Sequence, residues 1–275
     1  MNYPIREALE SILPLCDEII VAVGDCNDGT RELVAGISPK IKIVDTVWDT
    51  TVKGNGRVLA DETNKAFRAI SNKADWCIYI QGDEVLHEDG YGPINAAMQK
   101  YKDDENVDGL LLKYRHFFGS YDWLGIEGQW YRNEIRIIKN NKKFYSYRDA
   151  QGFRKNDNEK LNVKKVDAYM HHYGWVQSPA QMLAKADMKE KIYNDKEVDS
   201  SRVTDLDEFA KGLVRALSKY KGTHPKVMKQ RLADVNWTFD YDESRNNFKL
   251  KDRFKNMMEK LTGNRPFEYK NYKVV

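Results

Sequence analysis

Polar and apolar positions alternate in blocks through the first half of the chain. Residues 5–15 carry apolar side chains at Ile5, Ala8, Leu9, Ile12 and Leu13, a three-and-four spacing that predicts a helix. The apolar run from Ile19 to Val23, closed by Gly24 and Asp25, reads as a strand buried on both faces. Asp28-Gly29-Thr30 is a turn, with Thr30 as cap of a helix through Val34. Residues 40–46 predict a second strand. Lys53-Gly54-Asn55-Gly56-Arg57 leads into a helix over residues 59–70. Residues 75–80 predict a third buried strand, which runs out into Gln81-Gly82-Asp83-Glu84. Repeated strand–helix units of this kind predict an α/β fold with a mostly parallel sheet flanked by helices. Ligands of such sheets sit at the carboxyl ends of the strands, so residues 24–30 and 81–84 are expected to line one crevice.

The second half is less regular. Residues 109–118, 134–139 and 166–175 read as strands, and the polar stretch 145–158 as a loop. From Pro179 onward the helical period dominates, over residues 180–194, 206–220, 225–235 and 249–261. The composition shift near residue 176 predicts an α/β part (1–176) with a helical extension (177–275) packed on it. In the last helix, Leu250, Phe254, Met257, Met258 and Leu261 form one apolar stripe. Its other face mixes Lys249, Lys251, Arg253, Lys255 and Lys260 with Asp252 and Glu259. Because those acids dilute the basic face, the stripe is expected to pack on the protein itself, with membrane association at most peripheral.

A chain of 275 residues is long enough to bury a sizeable core in one or two domains. Its 45 basic and 42 acidic residues nearly cancel, which gives no support to nucleic-acid binding. No apolar run approaches the roughly 18 residues of a membrane span. The three cysteines, Cys16, Cys26 and Cys77, form no metal-type pair and no closed disulfide set. A cytoplasmic location is therefore the expectation, with the inner membrane face as the peripheral alternative.

Asp83, at the exit of a buried strand, is the most informative carboxylate. There it could hold a hard divalent cation, Mg²⁺ or Mn²⁺, against a diphosphate. A plain polar turn remains open on the string alone. Two true Asp-x-Asp strings, Asp205/Asp207 and Asp240/Asp242, are set aside. The first begins a helix and the second follows no apolar strand. In His171-His172 neighbours face opposite sides of a strand, so only one can reach the crevice, and a hydrogen-bonded core histidine is equally open. Lys53 and Arg57 flank glycines that could approach phosphates, although an ordinary loop fits the pattern as well. No serine elbow or cysteine motif for nucleophilic catalysis is present. The aromatic residues of 117–131 could stack on sugars or simply pack.

Taken together these strings resemble glycosyltransferase family 2, with its Rossmann-like GT-A fold, over about residues 4–235. Glu7 to Leu13, Asp17 to Gly24 and Asp28-Gly29-Thr30 look like the family's first helix, second strand and Asp-Gly-Thr turn. Residues 76–84 look like the strand into its metal motif. His116–Gly119, Trp130–Ile138, Asp149–Arg154 and His172–Trp175 resemble a bacterial subgroup. The resemblance implies a metal-dependent, inverting hexosyltransferase that moves a sugar from a nucleoside-diphosphate donor to a glycan or other hydroxyl acceptor, as in surface-glycan synthesis. It implies Asp83 and His172 as metal ligands and Asp149 as the acceptor's base; Glu134, which opens a strand, and Glu127, in a Gly-flanked loop, are the reserve candidates. It implies Asp28, Lys53 and Arg57 in nucleotide binding. Gln81 replaces the first acid of the metal motif, Val23-Gly24 stands where many members place an acid, and the family's first strand has no counterpart here. A non-catalytic glycan-binding or scaffold protein on this fold, or a nucleotidyltransferase, are the competing readings.

Overall fold

The computed structural model describes residues 3–49, 56–194, 198–200, 203–262 and 265–275. The first part runs α1 (Ile5–Ile12), β1 (Ile19–Val23), α2 (Thr30–Ala35), β2 (Ile41–Asp45) and α3 (Arg57–Ala69). Next come β3 (Trp76–Ile78), β4 (Glu84–Leu86), α4 (Tyr91–Tyr101), β5 (Gly109–Phe118), β6 (Ser120–Gly125) and β7 (Asn133–Lys139). They are followed by β8 (Tyr145–Tyr147), β9 (Gly152–Lys155), β10 (Glu159–Lys160) and the long β11 (Asn162–Trp175). The last part gives α5 (Pro179–Asn194), α6 (Leu206–Gly212), β12 (Leu217–Lys219), α7 (Lys229–Ala233), α8 (Leu250–Thr262) and β13 (Lys273–Val274).

The α/β class holds, but the strands do not form a mostly parallel sheet. β1 and β2 pair in parallel through the α2 crossover, as a sheet of two. Only the ends of β1, Ile19 and Val23, are buried; the three residues between them are half-buried. Among the described residues the main sheet has eight strands and is mixed. β5 and β11 run parallel along its centre, and β13 joins β11 in parallel. β3, β4, β6, β7 and β12 all pair antiparallel. The physical reason is connection length. Gly119 alone separates β5 from β6, and so tight a link can only reverse the chain.

β5 is apolar on both faces because both are covered. Leu110, Leu112 and Tyr114 pack with Leu9 and Ile12 of α1, Ile94 of α4, and Ala168 and Met170 of β11. Leu111 turns the other way, toward Ile135, Phe67 of α3, Phe153, Val163 and Tyr272. Residues after 176 belong to the same body: Met182, Ala210, Leu217 and Phe239 share a core with Phe118 and Trp130.

Three local expectations fail for reasons of packing. Residues 145–158 form the β8–β9 hairpin; their polarity hides buried Arg154, which donates to the carbonyls of Phe153 and Asn271. Residues 206–220 split into α6, capped by Asp205, and β12, which is captured by the open edge of β6. In α8, Leu250, Phe254, Met257 and Leu261 are exposed and Met258 is half-buried, so most of the stripe does not pack on the protein. No helix among the described residues is long and apolar enough to cross a membrane.

A fully buried ion pair ties the layers together. Glu84 accepts Nε (3.0 Å) and Nη2 (2.8 Å) of Arg136, the Tyr114 hydroxyl (2.8 Å) and the Gln81 amide (3.2 Å). Arg136→Leu would leave that carboxylate enclosed and without its guanidinium. It is expected to cost about 3–5 kcal/mol in urea unfolding, whereas Glu84→Leu/Arg136→Leu together should recover much of the loss. Equal destabilisation by the single and double variants would contradict this.

Candidate functional site

β3 ends at a tight turn in which the Glu84 amide donates to the Gln81 carbonyl (3.0 Å). The Tyr173 amide fixes the Asp83 carbonyl at 2.8 Å. β4 then runs antiparallel to β11 with Glu84 opposite His172. This geometry presents Asp83, not Glu84, to the site. His172 Nε2 lies 3.4 Å from Asp83 Oδ2, and Lys185 Nζ of α5 lies 3.8 Å from the same oxygen. Lys185 also donates to the Gly174 carbonyl at 2.5 Å. Burial opposes ionisation of Asp83, but His172 and Lys185 outweigh it and hold the carboxyl well below the usual range. Burial lowers the Lys185 pKa, with Asp83 resisting. Gly174 completes the cluster. A Cβ there would stand 2.4 Å from Asp83 Oδ2 and 2.8 Å from His172 Nε2, so no larger residue fits without moving one of them.

The tautomer of His172 follows from its neighbour. His116 faces His172 across the β5–β11 ladder. Its Nε2 lies 2.9 Å from the Tyr131 carbonyl, which can only accept, so Nε2 carries the hydrogen. Burial holds His116 neutral, which leaves its Nδ1 a bare lone pair. His172 Nδ1, 3.2 Å away, must then donate. With Nδ1 donating, His172 turns Nε2 to the Asp83 carboxylate: protonated, the ring makes the ion pair that helps hold Asp83 ionised, and deprotonated it offers Nε2 as a lone pair. Between Nε2 and the carboxylate a proton or a metal ion can sit, and Lys185 already stands beside the same oxygen. The donor chemistry suits a divalent ion with mixed nitrogen and oxygen ligands. Among the described residues no three His, Cys, Asp or Glu side chains converge to hold a metal. A metal here would rest on two protein ligands, as Mg²⁺ and Mn²⁺ do when water and substrate phosphates complete the shell.

His171 lies on the opposite face, fully buried between Arg115 (3.2 Å) and the Tyr173 hydroxyl (3.0 Å). Asp149 is half-buried at the tip of the β8–β9 hairpin, between Arg148 and Ala150, both in the left-handed region (φ 54° and 59°). Such conformations are strained for residues with a Cβ and persist where the surroundings impose them. Beneath the tip lies buried Glu134. Its Oε2 and both amide atoms of buried Asn271 have no hydrogen-bond partner, and both side chains border Gly152. Burial, with Glu84 and Asp149 adding and Arg136 opposing, pushes the Glu134 carboxyl up to about 8. Glu134 is therefore largely protonated at neutral pH. Glu127 is engaged by the Arg215 amide (2.7 Å) and Gln129 (3.0 Å).

Asp28 is exposed in the turn before α2, where its Oδ1 accepts the Thr30 amide (3.1 Å), so Asp28 rather than Thr30 makes the local cap. Arg57 is exposed at the first residue of α3. Lys53 lies outside the described residues. No hydrogen bond or ion pair joins Asp28, Arg57 or Asp149 to Asp83. Glu134 feels the charge of Asp149, and buried Tyr131 feels those of Glu134 and Asp83. The structure thus brings Asp83 and His172 together. Sequence reasoning missed Lys185, although its place three residues after buried Met182 marked the inward face of a helix. It also gave no role to His116, whose partner becomes visible only once β5 and β11 are in register.

No family model matches the chain, and no curated protein is significantly similar to it.

Glu134 gives a pH signature with a definite sign. Its folded pKa is raised from 4.5 to about 8, so the native state binds the extra proton and its advantage is lost as pH rises between those values. Wild-type stability should fall over that window. Glu134→Gln should flatten the fall and be more stable above pH 8, by on the order of 3 kcal/mol. Parallel melting-temperature profiles for the two proteins would refute the assignment.

Proposed function

We propose that this protein is a metal-dependent glycosyltransferase that moves a sugar from a nucleoside-diphosphate donor to a hydroxyl acceptor with inversion. The observation that carries this reading is the convergence of Asp83 Oδ2 and His172 Nε2 at 3.4 Å, with His172 Nδ1 held by His116 so that Nε2 faces the carboxylate. A bound Mg²⁺ or Mn²⁺ would supply charge neutralisation to the departing diphosphate. The chain's own residues do the rest. Asp83 and His172 hold the ion, and Lys185 adds a second positive charge beside the same oxygen. Asp149, on its constrained hairpin tip, accepts the proton of the acceptor hydroxyl. Glu134, held protonated beneath it, stays a neutral neighbour at pH 7 and does not compete for that proton. Asp28, Lys53 and Arg57 are assigned to the nucleotide. The absence of an activated nucleophile in the sequence fits a single displacement.

Lys185 also favours a second reading. It neutralises Asp83 from within the protein, as a glycan-binding or scaffold protein without metal would need. One titration separates the two. With Mn²⁺ and a series of nucleoside diphosphates, a ligand at 100 times its dissociation constant should add about 2.7 kcal/mol of stability and raise the melting temperature by a few degrees. Asp83→Ala should abolish that rise while its metal-free melting stays cooperative. No Mn²⁺-dependent rise with any nucleotide would favour the non-catalytic protein. For the base, Asp149→Asn keeps size and hydrogen bonding but takes no proton. Transfer should fall by roughly 10²–10⁴-fold with nucleotide and Mn²⁺ binding nearly unchanged. Transfer within about threefold of wild type would exclude Asp149 from that role.

A further inference from the structure

Helix α8 is mounted with its polar side inward. Asp252 is 6% exposed and packs against Gly128. Asn256 Nδ2 reaches the Ile126 carbonyl at 3.4 Å. Glu259 accepts Arg132 Nε at 3.3 Å and Arg265 Nη1 at 2.8 Å. These three positions share one side of the helix at about 100° per residue. The opposite side carries Leu250, Phe254, Met257 and Leu261, which are 83%, 48%, 51% and 74% exposed. Phe267, just beyond the helix, is 87% exposed and is held in the left-handed region (φ 54°), where Lys255 Nζ binds its carbonyl at 3.1 Å.

This placement changes the charge of the face. In the sequence, Asp252 and Glu259 dilute the lysines. In the fold both acids turn inward, Asp252 against Gly128 and Glu259 to two arginines. What points outward is apolar, rimmed by exposed Lys249, Lys251 and Arg253. Large exposed apolar side chains in one arc mark a surface that something covers. A second copy of the chain would bring the same cations face to face. An anionic bilayer satisfies both parts, with headgroups for the cations and acyl chains for the apolar arc. At 13 residues α8 is about 20 Å long, too short to span the roughly 30 Å hydrocarbon core, so it lies in the surface plane.

We propose that the outward face of α8, with Phe267, docks the protein peripherally on an anionic lipid surface. The inference does not depend on the proposed activity, because its test needs no substrate. The full chain is floated with vesicles of phosphatidylcholine, or of phosphatidylcholine with about 30% phosphatidylglycerol, at ~0.15 M salt. Partition onto the anionic vesicles should exceed that onto the neutral ones roughly tenfold or more. Leu250→Ser/Leu261→Ser should lower anionic partition about tenfold, since each change removes several buried methylenes. Lys249→Gln/Lys251→Gln/Arg253→Gln should erase the preference for anionic vesicles. All of these side chains are exposed, so the melting temperatures should match wild type; the charge variant stands as the second test should the serine variant unfold. Failure of the wild type to float would overturn the proposal. So would equal flotation of wild type and both variants. A dimer in sedimentation that the serine variant dissolves, without flotation, would give the face to a second copy instead.

Discussion

The buried carboxylate of Glu84 imposes the order on which the candidate site rests. A charge wholly withdrawn from water must be answered by several partners at once. Arg136 of β7, Tyr114 of β5 and the Gln81 amide answer it from three directions. Meeting that demand closes the turn between β3 and β4 and sets β4 against β11. Asp83 is one residue away, so its direction is a by-product of satisfying Glu84. Glu84 is the fixed post, and Asp83, the acid read in the sequence as the metal ligand, is the group left facing His172.

The legible part of the fold was the part governed by local spacing. α1, β1, α2, β2 and α3 all lie where apolar periodicity put them, because each buries one stripe or run against its sequence neighbours. Strand direction was not legible, since it is set by how short the links around Gly119 and residues 126–132 are rather than by the strands. β12 was hidden inside a helical pattern because the edge of β6, far away in sequence, decides its conformation. The facing of α8 was misread for a related reason: two acids on a helix look like solvent-facing groups until Gly128 is found against Asp252, and Arg132 and Arg265 against Glu259. In the site, strand alternation put His171 and His172 on opposite faces, and the family resemblance chose His172 as the one beside Asp83. The role of His116 and the presence of Lys185 needed the register of β5 on β11 and the docking of α5, which no local pattern encodes.

One continuous set of contacts runs from α8 to the centre of the site. Glu259 holds Arg132, and Arg132 donates to the carbonyls of Trp130 (3.3 Å) and Ile126 (3.3 Å). The adjoining Tyr131 carbonyl fixes the His116 tautomer, which in turn sets the ring of His172. The segment 126–132 is therefore held on one side by the inward, polar face of α8 and bears on the other against the histidine pair.

Gly174 carries a consequence for recognising proteins built in the same way. Its contribution is a missing atom: the volume a methyl would fill is where Asp83 and His172 converge. Two chains could keep both ligand-type residues and the same strands, yet differ in cation affinity through alanine at this one place. Searches that score only the acid and the histidine would count them alike. The vacancy, not the donors, is the stricter signature.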